Sequence, residues 1–185
     1  IPLAELLRGL GSNGAQMLSL VGMRGGGKST IGRALAADLQ VTFLELDQLI
    51  AEQAQMPLSE IFSMGGMALY REYESTTLQK LFESGKPIIL ATGGSLVLDV
   101  QNWSRLRGYS RTVWLRCAPE VYLDRVREQG DWRPMQGYSD ALDEVKSILQ
   151  EREKLYAQAD MIVDTDANTI GESVGQLKEF FKSDL

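Results

Sequence analysis

The chain has 185 residues, 44% apolar and 24% charged, with 19 Lys plus Arg against 25 Asp plus Glu for a formal charge of −6. That length suits one domain with a full core, and no apolar run approaches the ~18 residues that span a bilayer, so a second domain, disorder and membrane insertion are excluded. Without His and with Cys117 as the one Cys, the composition offers no internal disulfide and no zinc or haem site, and a cytoplasmic, reducing setting is expected.

In chain order, residues 1–14 read as a linker with Gly9, Gly11 and Gly14, lacking the cationic start and apolar stretch of a signal peptide. Because the first residue is Ile1, the chain is expected to be a fragment or a processed product. The domain is expected over 15–185. Short apolar runs predict strands at Met17–Val21, Val41–Leu46, Ile88–Ala91, Thr112–Leu115 and Met161–Val163. Amphipathic stretches predict helices near 29–39, 58–83, 99–107, 119–129, 140–158 and 169–182, with Pro119 suited to a first helical turn. Alternation of this kind predicts a parallel sheet covered by helices on both faces, with ligands at the carboxyl ends of the strands. Only the segment 100–139 is basic, 7 residues against 4; a small anionic ligand suits that distribution better than a nucleic acid does.

The chemistry begins directly after the first strand. Gly22-Met23-Arg24-Gly25-Gly26-Gly27-Lys28-Ser29 has the spacing G-x-x-x-x-G-K-[ST] of a phosphate-binding loop. Its glycines let backbone N–H groups wrap a phosphate at a helix N-terminus, Lys28 supplies a mobile positive charge, and Ser29 offers a hydroxyl to Mg²⁺. Gly22, Arg24, Gly25, Gly26, Gly27, Lys28, Ser29 and Thr30 are therefore candidate nucleotide contacts. Glu45-Leu46-Asp47 ends the second predicted strand, where a period of two turns both carboxylates towards the ligand edge. One suits a metal-water shell and the other a substrate hydroxyl; a helix cap by Asp47 is the alternative. Tyr70-Arg71-Glu72-Tyr73-Glu74 lies on a predicted helix with Arg71 and Glu74 at i and i+3, either a surface ion pair or part of a site. Gly93 and Gly94, with Ser95, follow the third strand, where paired glycines permit close approach to backbone N–H groups.

Arg125, Arg127 and Arg133 flank Gln129-Gly130-Asp131-Trp132, a segment that reads as a lid whose arginines neutralise charge on a transferring phosphoryl group, with Arg127 a candidate nucleotide contact. Arg152 and Tyr156, four apart on the following helix, are candidates for the same cleft.

Taken together, Gly22–Ser29, Glu45-Leu46-Asp47, Ile61-Phe62, Tyr70-Arg71 to Glu74, Ala91–Gly94, Arg133-Pro134 and Arg152 to Tyr156 resemble the shikimate kinases in order and spacing, over about residues 16–182. The resemblance implies a P-loop NTPase fold with a five-stranded parallel sheet. It also implies ATP and Mg²⁺ at Lys28 and Ser29, with Glu45 beside the metal, and shikimate at Asp47, Arg71, Gly93, Gly94, Ser95 and Arg152. Lys28, Asp47 and Arg133 would be catalytic, Arg133 as the lid arginine. The pattern departs at Glu45, where the family usually has Asp, and at Ser95, where it usually has Gly.

A second resemblance is carried by Ala91 to Val97, Thr112 to Leu115, Gln129-Gly130-Asp131 with Arg133-Pro134-Met135, and Arg152-Glu153 to Ala157. It is to the carboxy-terminal, shikimate-kinase-like domain of benzoyl-CoA-responsive helix-turn-helix transcriptional regulators. It implies an aryl-CoA sensor with benzoyl-CoA as effector, reaching DNA only through an absent amino-terminal domain, with Trp132, Met135 and Tyr138 as an aryl wall. The sensor is the main expectation from sequence, and ATP-dependent transfer to the 3-hydroxyl of shikimate is the alternative.

Overall fold

A computed structural model describes residues 17–130 and 137–182; the expected linker 1–14 lies outside the described residues. Five strands, β1 (Met17–Val21), β2 (Thr42–Glu45), β3 (Ile88–Ala91), β4 (Arg111–Arg116) and β5 (Met161–Asp164), form one parallel sheet in the order β2-β3-β1-β4-β5. Between them run α1 (Lys28–Leu39), α2 (Leu46–Ala54), α3 (Leu58–Ser84), α4 (Val100–Tyr109), α5 (Pro119–Glu128) and α6 (Tyr138–Tyr156), with α7 (Ile170–Lys182) after β5. The α/β class, the five strands and the helices on both faces are as expected.

Alternating side chains feed two cores. Leu18 and Leu20 of β1, Ile89 of β3 and Val113 and Leu115 of β4 pack with Ile31, Leu35 and Leu177 from α1 and α7. Their neighbours Met17, Val21, Ile88, Leu90 and Trp114 pack on the other face with Leu46, Ile50, Ile61, Leu78 and Tyr156. Central strands apolar on both faces are what burial between two helical layers demands. Among the described residues, no helix is long and apolar enough to cross a membrane.

Helix α2 departs from the sequence reading. The expected second strand runs to Leu46, but the strand stops at Glu45 and the helix starts at Leu46. Leu46, Ile50 and Ala54, four apart, bury one stripe, a period that an apolar strand running straight into it obscures. Helix α3 is interrupted at Gly66, whose φ of 62° and ψ of −154° break the helical ladder. Asp99 caps α4 through the N–H of Asn102 at 2.8 Å, and Pro119 occupies the first turn of α5. The chain crosses from β3 over β1 to β4, so the loops after β1 and β3 meet at a reversal of strand order, where open α/β sheets place ligands.

Candidate active site

The loop after β1 is shaped by glycines that tolerate no side chain. Gly22, at φ 138°, would place a Cβ 2.7 Å from the Leu115 carbonyl, and Gly25, at φ 81°, one 2.8 Å from the Tyr122 carbonyl. Gly27 starts α1 at φ 91° with no side-chain cap, and no acidic residue stands in the first turn, leaving those N–H groups for an anion. Lys28 Nζ donates to the Gly22 and Met23 carbonyls at 2.7 and 2.8 Å, so the loop wraps around its ammonium. Burial lowers that ammonium to about 8, against the opposing charges of Asp47, Cys117 and Glu45.

Arg125 supports the loop from behind, which corrects its assignment to the lid. It sits on α5, its Nη1 donating to the Gly25 carbonyl at 3.3 Å and to Thr165 Oγ1 at 3.0 Å, while Nη2 donates to the Thr165 carbonyl at 3.0 Å. With Thr30, Gln129, Asn168 and Ser173 it lines a cavity of about 320 Å³ beside the loop. Arg127, the expected nucleotide contact, instead stands over the ring of Tyr138, 5.1 Å from its centroid, and is not among the lining residues of either cleft described here. Arg133 and the rest of the lid from Asp131 to Met135 lie outside the described residues.

On the other side of Lys28 opens a cleft of about 490 Å³ lined by Arg24, Ser29, Glu45, Asp47, Thr92, Gly93 and Gly94, among others. Glu45 and Asp47 both face it, for a reason other than strand alternation: Glu45 closes β2 while Asp47 is already helical. Glu45 Oε1 accepts from Arg33 at 2.7 Å. Asp47 Oδ1 accepts from Tyr70 Oη at 2.7 Å, so Asp47 is no helix cap.

Arg71 and Glu74 form a buried pair, correcting the surface alternative. Arg71 Nη1 meets Glu74 Oε2 at 2.7 Å, and Glu74, 0% exposed, also accepts from Asn102 Nδ2 at 2.9 Å. Burial pushes the Glu74 carboxyl up, against the pull of Arg71. Arg71 Nη2 donates to the Ser95 carbonyl and hydroxyl at 2.7 and 3.0 Å, tying α3 to the turn after β3. That turn is anchored by Thr92, whose N and Oγ1 both donate to the Leu20 carbonyl, and by Tyr156, whose hydroxyl donates to the Gly94 carbonyl. A Cβ on Gly94 would lie 3.6 Å from Arg152 Nη1 and 3.7 Å from the Arg24 nitrogen, so the diglycine sits between loop and arginine. Arg152 Nε is buried without a partner among the described residues.

The structure thus brings Lys28, Ser29, Glu45, Asp47, Gly93 and Gly94 to one cleft, with Arg152 at Gly94 and Arg71 held through Ser95. Sequence reasoning missed Tyr70 as the partner of Asp47, Asn102 as a donor to Glu74 and Thr165 beneath the loop. No local spacing signals these: the partners stand 23, 28 and 40 positions apart.

Comparison with known proteins points one way. The model of the family described as Shikimate kinase matches residues 24–182. The shikimate kinase of Nitrobacter winogradskyi is 43% identical over 146 residues, 79% of this chain and 67% of its own length. That of Bradyrhizobium diazoefficiens is 36% identical over 162 residues, covering 88% of this chain and 76% of its own. Among solved structures, the shikimate kinase of Bacteroides thetaiotaomicron superposes with a TM-score of 0.81 at 29% identity, over 90% of this chain and 98% of that one. That of Acinetobacter baumannii, in complex with shikimate, gives 0.79 at 27%, over 90% and 93%.

These matches overturn the expectation of a benzoyl-CoA-responsive regulatory domain. Among the described residues, those lining the 490 Å³ cleft include no aromatic side chain. Tyr138, expected in an aryl wall, is 39% exposed on α6 beneath Arg127, and Trp132 and Met135 lie outside the described residues. A family model spanning all of the described strands after β1, and kinase relatives identical at more than a third of the aligned positions, leave one assignment: the chain belongs to the shikimate kinase family.

Proposed function

We propose that the chain is an active shikimate kinase, transferring the γ-phosphoryl group of ATP to the 3-hydroxyl of shikimate. The observation that carries this reading is the continuity of the cleft: one wall is the glycine cradle with Lys28 and Ser29, the other is Asp47 with Gly93 and Gly94. A shikimate complex of the Acinetobacter baumannii relative supports the acceptor. In this reading the loop N–H groups, Thr30 and the start of α1 hold the phosphates, and the 320 Å³ cavity beside the loop takes the nucleoside end.

Mg²⁺ fits the donor set, because Ser29 and Glu45 bring hard oxygens to the loop end of the cleft, and this ion takes few protein ligands beside phosphate and water. When bound it neutralises charge on the phosphate oxygens. Asp47 orients the acceptor hydroxyl and takes its proton as the oxygen attacks the γ-phosphorus and the bond to the ADP oxygen breaks. Lys28 leaves the loop carbonyls to follow the phosphate charge. Arg71 and Arg152 hold the acceptor carboxylate, Arg71 with its guanidinium braced by Glu74. Gly93 leaves room for the acceptor: a Cβ there would stand 3.2 Å from Asp47 Oδ1.

The test is ADP release with ATP, Mg²⁺ and shikimate in a coupled assay, comparing the wild-type chain with Lys28→Ala. Shikimate-dependent turnover that falls at least about 10³-fold in the variant is expected, from loss of a transition-state charge contact. Absence of wild-type turnover, or its retention in Lys28→Ala, would refute the reading.

A further inference from the structure

Tyr70 lies on α3 at 3% exposure, its ring stacked on Phe62 with centroids 5.0 Å apart and the Arg71 guanidinium 5.3 Å from its own centroid. Its hydroxyl donates to Asp47 Oδ1 at 2.7 Å, joining α3 to the first turn of α2 across 23 residues. The turn after β3 closes over this pair. A Cβ on Gly93 would lie 3.1 Å from Tyr70 Oη and 3.2 Å from Asp47 Oδ1, but 3.7 Å from Asp47 Oδ2. The two carboxylate oxygens are therefore unequal: one is engaged beneath the glycine and the other remains for the cleft.

We infer that Tyr70 is a positioning residue for phosphoryl transfer, pinning Asp47 Oδ1 so that the second carboxylate oxygen is presented to the acceptor hydroxyl. The assignment rests on the phosphotransferase reading and supplies the geometric cause of the role given there to Asp47. A short carboxylate side chain otherwise turns freely about its terminal bond, and charges compete for it. Lys28 of α1 attracts it, and Glu45 of β2, on the same cleft, repels it. One fixed, uncharged donor resolves that competition without altering the net charge of the cleft. Burial, and then the neighbouring Asp47 charge, pushes the phenol well above its ordinary value, so Tyr70 stays a donor throughout the working range of pH.

Tyr70→Phe removes the hydroxyl and keeps the ring that stacks on Phe62. Because reacting groups lose rate steeply when they drift from alignment, kcat for shikimate phosphorylation is expected to fall about tenfold while the KM values for shikimate and ATP stay within about twofold. A hydroxyl that served only packing would leave kcat unchanged and lower the melting temperature instead. The second variant is Asp47→Asn, measured alone and combined with Tyr70→Phe. If Tyr70 acts through Asp47, adding Tyr70→Phe to Asp47→Asn lowers the residual rate no further. Wild-type turnover with Tyr70→Phe within twofold of it, or fully multiplicative losses in the pair of variants, would overturn the assignment while leaving the kinase reading intact. A wild-type chain that releases no shikimate-dependent ADP would overturn both.

Discussion

Removing Arg71 should damage the fold more than neutralising its partner does, although both changes break the same ion pair. Arg71→Met leaves the Glu74 carboxylate at 0% exposure with Asn102 Nδ2, at 2.9 Å, as its remaining donor among the described residues. Stranding a buried charge in this way costs about 3–5 kcal/mol. For a domain of this size that corresponds to a fall in melting temperature of about 6–20 °C. Glu74→Gln keeps an oxygen for Arg71 and loses only charge, and burial already disfavours that charge, so the expected cost is roughly 1 kcal/mol. The pH dependence has a definite sign. The folded pKa of Glu74 lies above its ordinary 4.5, so its contribution is full below that value and is lost as pH rises through the folded one. Without Arg71 the rise is larger, and Arg71→Met should regain stability as pH is lowered from 7 towards 5. Urea titrations followed by the fluorescence of buried Trp103 and Trp114 provide the measurement. Equal losses in the two variants, or a loss in Arg71→Met that does not change with pH, would refute the argument that desolvation dominates at Glu74.

Lys28 supplies the second pH prediction. Its folded value of about 8 lies below the ordinary 10.5, so it contributes stability above 10.5 that is lost as pH falls through about 8, while its charge for phosphate is present below about 8. ATP affinity by calorimetry should therefore drop between pH 7 and 9, and a flat profile, or an equal drop in Lys28→Ala, would count against it. Gly22→Ala sets a Cβ 2.7 Å from the Leu115 carbonyl at a φ of 138°, whereas Gly66→Ala meets nothing within 4 Å at a φ of 62°. Strain alone costs about 1–3 kcal/mol, and the clash adds to it at Gly22, so thermal melts should rank Gly22→Ala clearly below Gly66→Ala.

How much of the site could be read in the sequence depended on how far apart its parts stand. The Gly22–Ser29 loop is a contiguous string whose strand-before and helix-after context is visible, and it lies where that context placed it. Glu45 and Asp47 both line the cleft, yet not by strand alternation, because the apolar strand and the apolar stripe of α2 meet at Leu46. Arg125 and Arg127, both expected beside the lid, stand two residues apart on α5 and find different partners, the Gly25 carbonyl and the ring of Tyr138. At 100° per residue they point in different directions, and only the packing of α5 against the loop selects Arg125. The expected sensor domain finds no support, whereas the match to the shikimate kinases runs over residues 24–182.

By itself the sequence determined the alternation of strands and helices, the apolar identity of both sheet faces and the phosphate loop, since each follows from local period or contiguous spacing. Tertiary structure alone decided that Tyr70 reaches Asp47, that Glu74 is buried between Arg71 and Asn102, and that the diglycine turn faces Arg152. Those contacts join residues 23 or more positions apart, except the Arg71–Glu74 pair, whose burial rather than spacing was hidden. They exist because α2 and α4 pack against α3 and α6 packs against the turn after β3, and a buried polar group between such elements must find its partner in another one.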